Sequence, residues 1–183
     1  MQATMNIQVL DGYGIKKIVT ACPHCFNTLK NEYPALGGNY EVLHHSEYLQ
    51  QLINDGKVKM AEGGSFKGKK ITYHDSCSGL RELGVQNQPR TLIGKMGGVE
   101  ILEMKDSRQC CGFGGTFALK YGEVSSAICT DKCEQVQATG AQAVVLGDLG
   151  CMLNIEGRLR RMGDNTQVLH VAELLTGRKP GQI

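Results

Sequence analysis

The sequence predicts an α/β protein, namely a layered domain with a small parallel sheet and flanking helices, preceded by a partial repeat of the same unit. Short apolar stretches typical of strands alternate with longer stretches of helical periodicity, and this alternation favours parallel strands joined by crossover helices. The two ends of the chain also resemble each other, and at three places a cysteine follows a predicted strand. The predicted fold therefore carries thiols where its strands end.

The first copy of the repeat lies at the start of the chain. Residues 14–21 form a short apolar strand leading to Cys22, a helix is predicted from about Pro23, and a second apolar segment covers residues 41–49. Cys22 and Cys25 are candidate metal ligands, because the word Cys-Pro-His-Cys is typical of a zinc knuckle. Alone they should hold no iron–sulfur cluster, since such a cluster takes about four thiolates.

The second copy lies near the end of the chain. An apolar strand within residues 140–150 leads to Cys151, a helix follows, and another apolar segment covers residues 167–175. When the copies are aligned on their cysteines, His44 falls near His170, which indicates an internal duplication. The recurrence predicts that both histidines serve the fold rather than catalysis.

Further elements are predicted between the copies. Proline opens one helix and Gly140 closes another. The predicted strands cover residues 70–75, 99–104 and 143–146, and the predicted helices cover residues 89–96, 123–139 and 151–162.

A pair of adjacent cysteines is the most specific motif. Cys110 and Cys111 run into Gly112, Gly114 and Gly115, and glycine lets backbone amides come close to an anion such as the sulfide of a metal–sulfur cluster. The alternative is a buried cysteine pair in a turn. A dinucleotide-binding loop is not predicted, because the strand-glycine-helix order and the later acidic residue are missing.

Two further cysteines lie far from this pair. Cys77 is separated from Cys110 by 32 residues, and Cys151 from Cys111 by 39. Cys77 and Cys151 each follow a predicted strand and lie at or near a helix start, where ligands of open α/β sheets bind and where a thiolate is favoured. We expect the four thiols to meet at one sheet edge, and four cysteine thiolates are the usual complement of an iron–sulfur cluster.

This spacing resembles the cysteine-rich CCG domain found in heterodisulfide reductase, in the iron–sulfur component of glycolate oxidase and in the lactate-utilisation iron–sulfur protein. The words at residues 73–84, 110–117 and 147–154 look most like the lactate-utilisation branch, and the resemblance covers residues 70–176. It implies a CCG-type fold and an iron–sulfur cluster. In the heterodisulfide reductase relatives a fifth cysteine helps to hold a noncubane cluster, but Asn154 stands at that place here, so an ordinary 4Fe-4S cluster is expected.

The resemblance also implies a domain division, because full-length relatives carry two CCG domains. Residues 1–60 are interpreted as the C-terminal part of a first CCG domain, residues 61–69 as a linker, and residues 70–183 as a complete second CCG domain. The linker is rich in glycine and serine, which favours a flexible connection or a surface loop. On this interpretation the chain is N-terminally truncated.

Three functions are compatible with these patterns. The resemblance implies an iron–sulfur electron-transfer subunit of a 2-hydroxy-acid oxidoreductase complex that oxidises lactate or glycolate, with flavin or iron–sulfur subunits as partners and no catalytic residue in this chain. The first alternative is disulfide reduction at the cluster, as in heterodisulfide reductase. The second is a zinc-binding structural module.

Composition and net charge limit the cellular compartment and the partners that are expected for this chain. A formal charge of +2 offers no field for nucleic acid or for an anionic membrane. Eight cysteines without an 18-residue apolar run predict a reducing, cytoplasmic compartment and no direct membrane insertion. Apolar residues within residues 1–60 would be covered in a whole domain, so we expect either self-association through this segment or a separately encoded partner that supplies the missing part of the first domain.

Other polar and sulfur side chains are weaker candidates. Cys129 and Cys133 are spaced for one helical face and are absent from the family pattern, which favours packing over metal binding. His74 could hydrogen-bond a sulfur or relay a proton, and for His74 and Asp75 a structural role in the turn before Cys77 is an equal alternative.

Overall fold

The computed structural model describes residues 1–60 and 62–177. The chain divides into two compact units, which we call the first unit (Met1–Val58) and the second unit (Lys59–Ile183). None of the helices that the structure describes is both long and apolar enough to cross a membrane.

The first unit is built around two parallel strands. Its elements are α1 (Gln2–Gly12), β1 (Lys17–Thr20), α2 (Pro23–Asn27), a π turn (Thr28–Glu32), a 3₁₀ turn (Tyr33–Leu36), β2 (Glu41–His44) and α3 (His45–Asn54). Strand β1 pairs with β2 from Lys17 opposite Glu41 to Thr20 opposite His44. The small core consists of Ile7, Phe26, Tyr33 and Val42. Helix α1 precedes the first element that the sequence predicts.

The second unit contains a four-stranded parallel sheet in the order β4-β3-β5-β6, which confirms the predicted fold class. A 3₁₀ turn (Gly64–Phe66) precedes the sheet. The strands are β3 (Lys70–His74), β4 (Glu100–Ile101), β5 (Ala143–Leu146) and β6 (Gln167–His170). The helices are α4 (Cys77–Arg81), α5 (Asn87–Met96), α6 (Thr116–Lys120), α7 (Gly122–Ala138), α8 (Leu149–Arg161) and α9 (Val171–Leu175).

The sheet separates two apolar clusters, because successive residues of a strand point to opposite faces. On one face Ile71, Tyr73 and Val145 pack with side chains of α5 and α9. On the other face Val144 and Leu146 pack with side chains of α7 and α8, among them Cys129, Cys133, Cys151, Ile155 and Leu159. The buried cysteines thus contribute to the core of the face on which α8 lies.

The segment interpreted as a linker is packed rather than loose. Phe66 is 1% exposed and belongs to the apolar cluster below α5 and α9. The backbone amide of Gly63 donates to the carbonyl of Met96 at 3.1 Å, and that of Gly68 donates to the carbonyl of Gly98 at 2.6 Å. Residues 62–69 therefore belong to the fold of the second unit, because an aromatic side chain anchors a segment whose composition is typical of a flexible connection.

The predicted strand at residues 99–104 is also shorter than expected. Only Glu100 and Ile101 pair with β3, and Leu102 makes one further hydrogen bond to the carbonyl of Ile71. Glu103 then binds the guanidinium of Arg90. The segment therefore leaves the sheet after Leu102, and its next side chain takes part in an ion pair.

Both units share a histidine at the start of a helix. His44 and His170 are the N-cap residues of α3 and α9, and each lies three residues before a glutamate that completes a capping box. The backbone amide of His44 donates to Glu47 at 3.1 Å, and that of His170 donates to Glu173 at 2.8 Å. The recurrence of these histidines is thus explained by helix capping.

Candidate metal centre

Two of the predicted ligands follow neighbouring strands. Strand β3 ends at His74 and is followed by Cys77, while β5 ends at Leu146 and is followed by Cys151. The two strands are parallel, and His74 lies opposite Leu146. Because the carboxyl ends of parallel strands meet at one edge, Cys77 and Cys151 lie at the same edge of the sheet.

The other two ligands lie in the loop between β4 and α6. Cys110 is exposed and Cys111 is buried. Gly112 has φ +80°, and a Cβ atom there would lie 2.6 Å from the carbonyl oxygen of Ser125. The Ser125 hydroxyl also donates to the carbonyl of Gly112 at 2.8 Å. Glycine is required at this position because α7 comes too close for a side chain.

Backbone amides of this loop face the two thiols. The amide of Gly112 donates to Sγ of Cys110 at 3.3 Å, and a hydrogen bond from the amide of Phe113 helps to lower the pKa of Cys111. Gly114 and Gly115 follow with positive φ values. The glycine-rich loop thus presents N–H donors to sulfur, as its composition predicts.

Cys111, Cys151 and His74 form the most compact group of possible metal ligands. Their donor atoms lie within 4.8 Å of one another, and all three residues are buried. The pKa of the Cys111 thiol is lowered, chiefly because the Cys151 thiol donates a hydrogen bond to it, and the imidazole of His74 lowers it further against the effect of burial. The same hydrogen bond raises the pKa of Cys151, and burial acts in the same direction. A lowered pKa favours the thiolate of Cys111, which is the form that binds metal.

Cys110 and Cys77 lie near enough to this group to interact with it electrostatically. Burial raises the pKa of the Cys110 thiol against the hydrogen bond from Gly112, and the charges of Cys111 and Cys77 raise it further. The charge of Cys77 also raises the pKa of Cys151. Negative charge on Cys111 and Cys77 disfavours ionisation of Cys110 and Cys151, and a bound cation or cluster would relieve this repulsion.

A buried lysine lies behind the loop. Lys132 is 0% exposed, and its Nζ donates to the backbone carbonyl of Asp106 at 2.6 Å. Burial lowers the pKa of Lys132, whereas the charges of Asp106, Cys111 and Cys110 raise it. When protonated, this side chain places a positive charge close to two of the thiols and compensates part of their negative charge.

An ion-pair network fixes the residues around Cys77. Asp75 has a fully buried side chain and receives two hydrogen bonds from Arg90, at 2.8 and 2.9 Å. Arg90 also binds Glu103, and its guanidinium lies 5.0 Å from the centre of the Tyr73 ring. The network joins the end of β3 to α5 and to the start of the cysteine loop.

The residue at the fifth-cysteine position has a backbone role. Nδ2 of Asn154 donates to the carbonyl of Cys111 at 2.8 Å. Behind it, Cys129 and Cys133 are buried and donate through Sγ to the carbonyls of Asn154 and Ile155. These contacts pack α7 against α8, as favoured from the sequence.

Cys22 and Cys25 come together in the first unit. Cys22 is the N-cap of α2, and Cys25 is exposed. The pKa of Cys25 is raised, first by its hydrogen bond with Cys22. Among the residues that the structure describes, a compact group of three metal-binding side chains forms at His74, Cys111 and Cys151, and none forms around Cys22 and Cys25.

Three features of the site are only weakly predicted from the sequence or not predicted at all. A contact of His74 with sulfur is one of two equal possibilities, and neither the burial of Lys132 nor the ion pairs of Arg90 are predicted. A histidine near the end of a predicted strand, three residues before a candidate ligand, is the signal that could have identified His74 as a residue of the site. Lys132 lies on a helix with mixed charge and gives no comparable signal.

Comparison with known proteins identifies similar chains. A family model described as a cysteine-rich domain, CCG, matches residues 1–30 and 71–156. The chain is 36% identical over 183 residues to an EtfAB:quinone oxidoreductase from Syntrophomonas wolfei, covering 94% of this chain and 25% of that protein. It is 36% identical over 162 residues to lactate utilization protein A from Oceanobacillus iheyensis, covering 88% of this chain and 64% of that protein.

A third relative covers a shorter stretch. Lactate utilization protein A 2 from Bacillus cereus is 42% identical over 132 residues, which is 71% of this chain and 52% of that protein. The chain thus spans between 25% and 64% of the length of these three curated relatives.

Proposed function

The chain belongs to the CCG cysteine-rich domain family, and from this premise we propose that it binds an iron–sulfur cluster and transfers electrons within a lactate- or glycolate-oxidising system. The names of two relatives, both lactate utilization proteins, support lactate as the electron source. The name of a third, an EtfAB:quinone oxidoreductase, supports a role in electron transfer.

The meeting of four thiols at one sheet edge carries this proposal. Cys77 and Cys151 follow adjacent parallel strands, and the loop with Cys110 and Cys111 reaches the same place. Thiolates are the ligands of iron–sulfur clusters, and amide N–H groups directed at sulfur tune their potentials. The donor set and the amide of Gly112 at Cys110 both fit such a cluster.

The ligands proposed are Cys77, Cys110, Cys111 and Cys151, and the cluster proposed is of the 4Fe-4S type. When bound, it would supply one-electron transfer. The protein residues hold it: Asn154 fixes the backbone of Cys111, Gly112 donates to Cys110, and Lys132 contributes positive charge. Because Asn154 is occupied by a backbone hydrogen bond, it is not proposed as a ligand.

Electron exchange requires a partner. Cys110 is exposed, so the centre reaches the surface on the side of its loop. An open groove of about 830 Å³ lies beside this loop. Its lining includes Asp106, Gln109, Asp131 and Glu134. We propose that another oxidoreductase subunit, containing flavin or iron–sulfur centres, docks on this side. Turnover of lactate by this chain alone is not expected.

The first unit is proposed to be the C-terminal part of a first CCG domain. The family model matches residues 1–30 as a stretch separate from 71–156, and both units carry the same strand-to-helix capping box. Helix α1 and its two cap residues expose Met1, Met5, Val9 and Tyr13 at intervals of four residues. This stripe supports self-association through the first unit, which sedimentation of a Met5→Asp, Val9→Asp variant would test by a fall in apparent mass.

A single metal ion is the second candidate occupant. The donor atoms of His74, Cys111 and Cys151 lie within 4.8 Å of one another, and two cysteine sulfurs with one histidine nitrogen are ligand types that zinc prefers. The eight cysteines are free thiols in the described structure, which agrees with either occupant and with the proposed cytoplasmic location.

Metal and sulfide analysis separates these candidates. The protein is purified without oxygen, and iron, zinc and acid-labile sulfide are quantified per chain. About four irons and about four sulfides per chain are expected for the cluster. Stoichiometric zinc without sulfide would contradict the proposal and favour the single-ion site.

A further inference from the structure

His74 is a deeply buried polar group at the proposed centre. It ends β3 and is 1% exposed. Its register partner Leu146 packs in the same cluster as Cys111 and Cys151. The imidazole therefore lies on the face of the sheet that carries the thiols.

Neither ring nitrogen of His74 forms a regular hydrogen bond to any residue within the described ranges 1–60 and 62–177. The ring instead faces Cys111, where it helps to lower the pKa of that thiol. Burying a polar ring with no regular hydrogen bond is costly, so a native protein rarely keeps one without a further use.

The geometry around His74 suits a metal. One of its ring nitrogens lies within 4.8 Å of the sulfurs of Cys111 and Cys151, and the three residues come from three separate segments of the second unit. Packing alone would be satisfied by an apolar side chain at the end of this strand, whereas an imidazole provides a nitrogen donor among thiols.

We propose that His74 is a ligand of the metal centre and binds it through one ring nitrogen beside Cys111 and Cys151. This inference rests on the proposed iron–sulfur function and deepens it. A 4Fe-4S cluster offers one protein-ligand position on each iron, so His74 would replace one of the four thiolates, and the exposed Cys110 is the one we expect it to replace. The centre then has mixed sulfur and nitrogen ligation. A neutral imidazole adds no negative charge to a site that already gathers thiolates, and histidine ligation raises the reduction potential of an iron–sulfur centre relative to cysteine alone.

Pulsed EPR tests the proposal on the full chain. The protein is reconstituted with iron and sulfide without oxygen, reduced, and examined with natural-abundance histidine and with ¹⁵N-labelled histidine. A strong nitrogen coupling that changes with the isotope is expected, and it should disappear in His74→Ala. His170→Ala is the matched control, since His170 is also buried at the end of a strand of the same sheet. This control should keep the coupling.

Cobalt provides an arm that does not depend on the cluster. Titration of the metal-free chain with Co²⁺ alone should give absorption from thiolate-bound, tetrahedral cobalt. We expect His74→Ala to weaken binding by about tenfold or more, His74→Cys to restore it, and His170→Ala to leave it unchanged.

These outcomes distinguish a failure of the ligand role of His74 from a failure of the proposed cluster. Iron and sulfide at full content with no histidine coupling, and equal Co²⁺ affinity in His74→Ala, would overturn the ligand role and leave the cluster proposal standing. Absence of sulfide with a His74-dependent cobalt spectrum would contradict the cluster and retain the histidine ligand.

Discussion

The two units of this chain share the same local arrangement of strands and helices but differ in the number of thiols that they bring together. In each, a strand leads to a cysteine near a helix start, and a later strand leads to a histidine that caps a helix with a glutamate three residues on. The first unit stops there, with two thiols at Cys22 and Cys25, one of them exposed. The second unit gathers Cys77, Cys110 and Cys111 around Cys151.

The difference shows that one thiol at a sheet edge needs further donor side chains before a metal centre can form. The strand-cysteine-helix unit supplies one donor, at Cys22 or at Cys151. The remaining donors of the second unit come from β3 and from the glycine loop, and neither has an equivalent in residues 1–58. Sequence similarity between the units therefore predicts similar capping and different chemistry.

The largest loss of stability is expected when the side chain of Phe66 is removed, because this ring anchors residues 62–69 in the core of the second unit. Phe66→Ala removes an aromatic ring that is 1% exposed and should lower the free energy of unfolding of the second unit by about 3–5 kcal/mol. Urea unfolding measures this. Leu119→Ala, at a side chain that is 86% exposed, is the control and should change little. An equal loss of unfolding free energy in Phe66→Ala and Leu119→Ala would show that residues 62–69 lie outside the fold.

The ion pairs of the two units should differ in strength. Asp75→Asn leaves Arg90 without the buried partner it binds at 2.8 Å, and should cost up to about 3–5 kcal/mol. In the first unit the Lys17–Glu41 pair is roughly half exposed, with side chains at 45% and 57%, so Glu41→Gln should cost less than about 1 kcal/mol. Thermal unfolding of both variants tests this contrast, and similar losses would contradict it.

The capping boxes should respond alike, since they are what the units share. Glu47→Ala and Glu173→Ala each remove a hydrogen bond to the N-cap amide, and each should cost about 1 kcal/mol in its own unit. Hydrogen exchange of amides in α3 and α9 resolves the units separately. A loss confined to one unit would show that the repeat is not structurally equivalent.

The smallest effect concerns pH. Burial lowers the pKa of His170, so the folded state binds fewer protons than the unfolded state once the pH falls below about 6.5. Stability of the second unit should therefore be full above that pH and decline below it. His170→Gln should flatten this part of the profile, measured by urea unfolding at several pH values. A slope that is unchanged in the variant would assign the decline to other groups.

Sequence patterns account for the sheet, because the period of a strand is a local property, and the spacing of the cysteines predicts that they converge at one edge of it. Strand β5 has the predicted bounds, 143–146. Patterns did not reveal that Phe66 anchors a glycine-rich segment or that Lys132 is buried, because both depend on contacts with residues far along the chain. The proximity of His74 to Cys111 arises in the same way, from a strand register and a loop that meet only in the folded protein.

Cys22 and Cys151 occupy equivalent positions in the two units, so iron and acid-labile sulfide in their serine variants test the central claim most directly. Cys151→Ser should lose most of both, because it removes a buried ligand of the proposed centre, whereas Cys22→Ser should keep the content of the unmodified chain. Cys133→Ser, which removes a buried thiol that contacts a backbone carbonyl, controls for packing and should also retain iron. Equal loss in Cys22→Ser and Cys151→Ser, or full iron in Cys151→Ser, would contradict a centre built by the second unit alone.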